Sequence, residues 1–136
     1  MQPVTIREPQ ATISDSPKKK APGMTGLTNE IWKILPQLPL QIIVILFNIT
    51  MTTGFLPNKV NTGKIILLPK INNWAGELDK LRPITLLETF RKLFTSIITK
   101  RLTSTLETHS ILQGPNFGFR QNMSTFDSLS ILTNTI

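Results

Sequence analysis

The sequence predicts an α+β fold: a mainly helical chain with one small antiparallel β element at about residues 64–86. Three observations carry this. Residues 87–107 place Leu87, Phe90, Leu93, Phe94, Ile97, Ile98, Leu102 and Leu106 at steps of three and four, the period of a helix with one apolar face. Residues 39–52 are apolar nearly all the way round, which predicts a helix buried on several sides. Between them, two short apolar runs at 64–68 and 81–86 flank a polar loop that contains Gly76. Two such strands are marginal alone and need helices packed behind them.

Taken in order, residues 1–19 are rich in Pro, Ser, Thr and Lys and read as a flexible N-terminal segment. Within it Pro9 suits the first turn of a short helix over 10–13, where its missing N–H is harmless. Lys18-Lys19-Lys20 with the following APGMTG reads as a basic loop. Thr28 is an N-cap for a helix over about 28–35, with Ile31, Ile34 and Leu35 on one face and Pro36 ending it. Pro39 opens the second helix, over 39–52; Gly54 is its C-cap and Pro57 lies beyond. Pro83 restricts the second strand to an edge or a strand terminus. Residues 108–123 are irregular. Ser124 caps a last helix over 124–135, with Asp127 at its third position approximating a capping box.

A length of 136 residues with 40% apolar content suits one domain or a piece of a larger one. Lys and Arg outnumber Asp and Glu by 15 to 8. The excess is focused: residues 59–101 hold nine Lys/Arg against the three acids Glu77, Asp79 and Glu88. Such a field points to nucleic acid or nucleotide phosphate, although charge alone is equally at home on a basic domain with no polyanionic ligand. There is no cysteine, so no disulfide partner and no thiolate zinc site, and His109 is the single histidine. The N-terminus lacks the charged-then-apolar order of a signal peptide. Residues 38–49 fall short of the roughly 20 apolar residues that span a bilayer. The expectation is an intracellular, soluble chain with no membrane partner.

Two-metal polymerases and nucleases cluster carboxylates around their metal ions. The eight acids here are scattered, with no D-D or D-x-D pair. Glu77-Leu78-Asp79 comes nearest, since positions i and i+2 of a strand share a face, but a solvated turn fits it better. A Ser/His/Asp hydrolase would have to use His109, set between Thr108 and Ser110 in an expected loop, and fits poorly. Phosphate chemistry fits better. Lys70 is a compact point charge just after Pro69, and Arg82 is a planar fork able to grip two phosphate oxygens. If the two strands pair as a hairpin, both cations lie near one end of the ribbon, facing one cavity.

Four blocks, in this order, resemble the fingers region of reverse transcriptases from non-LTR (LINE-like) retrotransposons. They are KAPGMTGLTNEIWK at 20–33, FNITMTTGFLPNKVNTGKIILLPK at 47–70, LRPITLLETFRKLFTSIITKRL at 81–102 and ILQGPNFGFRQNMST at 111–125. The resemblance covers 20–136, which it implies to be a partial reverse transcriptase domain within a right-hand polymerase. By that resemblance Lys70 and Arg82 contact the triphosphate of an incoming nucleotide. Gly23 and Gly26 lie near the template, and Gly118, Phe119 and Arg120 lie along the template–primer path. RNA template, DNA primer and dNTP are the implied partners. Magnesium belongs to the complete family enzyme, and this fragment is expected to bind no cofactor. A nuclear location follows from the resemblance alone.

The departures limit what is carried over. Thr25 stands where the family usually has aspartate, Lys59 or Val60 near its usual tryptophan, and Asn116 where glutamine precedes the GFR element. The family's metal-binding aspartates are expected downstream of residue 136. The chain thus reads as a nucleotide-handling fragment with no catalytic residue, inactive alone. Two other readings stay open: a small basic nucleic-acid-binding module, and a decayed gene fragment without function.

Overall fold

The computed structural model describes residues 2–71, 74–112, 117, 118, 120 and 123–134. The elements run α1 (Arg7–Asp15), α2 (Asn29–Lys33), α3 (Gln37–Thr53), α4 (Asn58–Asn61), β1 (Gly63–Pro69), β2 (Leu81–Leu87), α5 (Thr89–Thr108) and α6 (Thr125–Asn134), with a 3-10 turn at Leu78–Lys80 before β2. The α+β, mainly helical expectation is borne out, and the single sheet is the antiparallel pair β1–β2. The chain divides into two compact units, Met1–Thr99 and Lys100–Ile136, with the division inside α5. Among the described residues no helix is long and apolar enough to cross a membrane.

The N-terminal segment differs from the flexible stretch expected at 1–19. Residues 7–15 form α1, and Val4 and Ile13 enter the core. The local reason is a capping box: the N–H and hydroxyl of Thr5 both donate to Glu8 Oε2 (2.8 and 3.3 Å), and Glu8 N–H donates back to the Thr5 carbonyl (3.2 Å). Pro9 sits in the first turn, as its missing donor allows. Lys33 Nζ closes the other end, donating to the carbonyls of Ser14 (3.0 Å) and Ser16 (2.7 Å). Val4 is pinned by the Asn48 side-chain amide, which accepts its N–H (2.6 Å) and donates to its carbonyl (3.0 Å).

In the first unit the core gathers Val4, Ile13, Leu40, Ile43, Phe47, Leu93 and Ile97. Phe47 is fully buried, its ring 5.0 Å from that of Phe90 and 5.1 Å from that of Phe94. Two expectations are corrected here. The helix expected over 28–35 stops at Lys33, and Trp32 on α2 and Leu35 beyond it pack on the core while Ile34 is turned to solvent, so the buried face is not Ile31-Ile34-Leu35. On α3 only the stripe Leu40, Ile43 and Phe47 is buried. Leu38, Ile42, Ile45, Leu46 and Ile49 are exposed, because only one side of the helix has a neighbour. Gly54 ends α3 as expected, in the left-handed conformation (φ 68°) that a side chain would strain.

The second unit is described on its own. Here α5 ends in a Schellman motif: Ile111 N–H reaches the Leu106 carbonyl (2.9 Å), Ser110 N–H reaches that of Glu107 (3.0 Å), and Ser110 is left-handed (φ 50°). The start of α6 is the expected capping box. Ser124 N–H and hydroxyl donate to Asp127 Oδ2 (2.6 and 2.9 Å) and, in that order, hold its carboxyl below the usual aspartate value.

Candidate nucleotide-phosphate site

The hairpin register pairs Leu68 with Arg82 and Pro69 with Leu81. One step beyond, Lys70 N–H donates to the Lys80 carbonyl (2.8 Å). Even-numbered residues therefore form the hydrogen-bonded pairs, and Leu67–Pro83 is a pair whose backbone nitrogens point away from the partner. That is why Pro83 is tolerated inside β2: the ladder asks nothing of its nitrogen.

The same alternation places Leu68, Lys70, Lys80 and Arg82 on one face at the loop end. Lys70 and Arg82 stand diagonally across the ribbon there, both exposed. Lys70 Nζ donates to the Asp79 carbonyl (2.7 Å), which draws its stem over the returning limb of the loop. Lys80, which the sequence reading counted only as part of the basic field, joins them and is ion-paired with Glu77 (2.6 Å). Its position two residues before Arg82 is the signal that could have singled it out. The expected proximity of Lys70 and Arg82 is realised, on an open ribbon.

Gly23 and Gly26 behave differently from each other. Gly26 is exposed and left-handed (φ 74°), with open space where a side chain would go. Gly23 is buried: a Cβ there would stand 2.7 Å from Glu88 Oε1 and 2.8 Å from the Glu88 backbone nitrogen. Beside it Thr25 donates its N–H to Glu88 Oε1 (2.9 Å) and its hydroxyl to Oε2 (2.5 Å). Glu88 is only 2% exposed and caps α5, its carbonyl accepting Lys92 N–H (3.0 Å). The carboxylate is satisfied by those two donors and by the positive end of the helix. An aspartate at position 25 would set two carboxylates against each other, so threonine and Glu88 suit one another. The next residue, Thr89, accepts Trp32 Nε1–H (2.7 Å) and donates to the Leu27 carbonyl (3.0 Å). The segment 20–33 is thereby fastened to the junction of β2 and α5.

In the second unit Gly118 is exposed and Arg120 half-buried; Phe119 and Asn116 lie outside the described residues. Glu77 and Asp79 do not share a strand face, because Leu78–Lys80 is a 3-10 turn, and Glu77 is engaged by Lys80. Among the described residues no three metal-ligating side chains converge.

Over its full length the chain is 29% identical to the probable RNA-directed DNA polymerase from transposon BS of Drosophila melanogaster. It is 30% identical to the RNA-directed DNA polymerases from mobile element jockey of Drosophila melanogaster and Drosophila funebris, over 96% and 97% of its length. The chain is homologous to one segment of mobile-element RNA-directed DNA polymerases. The resemblance read from the four blocks is borne out. The chain spans 14–15% of the length of these relatives. No family model matches it.

Proposed function

We propose that this chain is the fingers-type, nucleotide- and template-handling segment of an RNA-directed DNA polymerase. The observation that supports it most is the hairpin register that sets Lys70 and Arg82 on one face at one end, within a chain homologous throughout to such polymerases. On this reading Lys70 supplies a point charge and Arg82 a fork, and together they neutralise the triphosphate of an incoming dNTP. Gly26, Gly118, Phe119 and Arg120 lie along RNA template and DNA primer. Gly23 acts from beneath, by letting its loop rest on Glu88. The scattered acids provide no metal site, so the segment by itself binds without polymerising and takes no cofactor.

The test is a pair of measurements on the whole 136-residue chain. Primer extension with magnesium should give no templated product; a templated product overturns the inactivity. In a dNTP titration, Lys70→Ala and Arg82→Ala should each weaken binding about 5- to 20-fold, the loss expected for one charge-assisted contact. Unchanged affinity in both variants overturns the phosphate reading.

A further inference from the structure

The loop that closes the hairpin is tied onto a single turn. Lys70 holds the carbonyls of Lys80 and Asp79, Glu77 holds the Lys80 ammonium, and Trp74 Nε1–H donates to the Glu77 carbonyl (2.8 Å). The indole thus has its one donor satisfied inside the loop while the residue stays 41% exposed. A ring oriented in this way needs nothing further from hydrogen bonding and can offer a face. Its anchor, the Glu77–Lys80 turn, is also the anchor of Lys70, and β2 carries Arg82 two residues past it.

We propose that Trp74 is a stacking platform for one unpaired base of a single-stranded nucleic acid that passes beside the Lys70–Arg82 face. The assignment rests on the reading of those two cations as phosphate contacts. Aromatic stacking beside cations is the recurrent way to hold a single strand, and it accepts any base because every base has a π-face. An exposed tryptophan on a turn that also anchors Lys70 and Lys80 suits a base better than an apolar protein partner, which would have to desolvate those charges. Asp79 sits on the same turn and opposes phosphate, so the strand passes on the Lys70–Arg82 side.

The experiment compares an oligouridylate with an abasic oligomer of the same length, binding to the whole chain. Wild type should prefer the oligouridylate about 5- to 100-fold, the range for one stacked base. Trp74→Ala should abolish the preference, and Trp74→Phe should retain most of it. Asp79→Asn should tighten both polymers. Equal affinity for the two polymers, or a preference that survives Trp74→Ala, overturns the proposal. The two readings fail separately. dNTP binding that depends on Lys70 and Arg82 without any base preference removes the platform alone. A base preference that depends on Trp74 but not on Lys70 or Arg82 removes the phosphate reading alone. Trp74 lies in an exposed loop, so circular dichroism should show its variants folded as wild type.

Discussion

Around Glu88 and Thr89 the chain closes on itself through side chains. Thr25, Trp32 and Leu27 reach them from 57 to 63 residues away in sequence, and Gly23 leaves no space between its backbone and the carboxylate. The hairpin that ends one residue earlier is held by its backbone ladder and shows solvent on both faces, with Ile65, Leu67, Leu68 and Ile84 all exposed. The contrast assigns different work to the two regions. Changes at the junction should be felt as stability. Changes on the ribbon should be felt as binding, because few of its side chains have packing to lose.

The largest expected effect sets the scale. Phe47→Ala removes the buried ring that Phe90 and Phe94 pack against and should cost about 3–5 kcal/mol, a large part of the roughly 5–15 kcal/mol margin of a domain. Leu67→Ala, on the ribbon, should cost under about 1 kcal/mol, since the leucine is 55% exposed. Denaturant unfolding of the two variants measures the difference. Comparable losses would mean that the ribbon is packed in solution, and the contrast would collapse.

Next comes the junction itself. Gly23→Ala forces a methyl group onto Glu88 and should cost about 1–3 kcal/mol. Glu88→Ala relieves the overlap with the carboxyl group, though not that with the Glu88 backbone nitrogen, and removes the acceptor of the two part-buried Thr25 bonds, a loss of about 1 kcal/mol. The double variant should therefore be more stable than the sum of the single losses predicts. Strict additivity would show that Gly23 does not meet the Glu88 carboxyl group.

What could be read in the sequence was local or periodic. The hairpin follows from two short apolar runs around a polar loop, and the Gly54 and Ser124–Asp127 ends follow from the chemistry of helix termini. Pro9 points to a short helix over 10–13, and the capping box Thr5-Ile6-Arg7-Glu8 is the signal that would have started it at Arg7. The burial of Glu88 was illegible for a different reason. Nothing near it in sequence satisfies its carboxylate; the donors come from Thr25, and only the tertiary fold brings them. For α3, apolarity shows which residues can be buried, but which are buried depends on where neighbours lie. Lys70 and Arg82 were legible as a pair because a ladder fixes facing from sequence parity alone. Trp74 and Lys80 needed the loop's own hydrogen bonds to become part of the same site.

The smallest effect lies between the two regimes, on a side-chain bond like those at Glu88 but at the surface like the ribbon. Glu30 accepts the N–H of Lys19 (2.5 Å), a residue in left-handed backbone (φ 57°). That bond first, then its own backbone N–H, the Thr28 hydroxyl and the Lys33 charge, hold the Glu30 carboxyl below its ordinary value of 4.5. A lowered folded-state value means stabilisation that is present above 4.5 and lost as pH falls through the lower folded-state value. Solvent screens so exposed a group, and the effect should be a slope rather than a collapse. Glu30→Gln stands in for the protonated acid and no longer titrates, so it should melt slightly below wild type at neutral pH and converge on it as pH falls. Coincident midpoint-versus-pH curves would show that the Lys19–Glu30 bond does not form in solution.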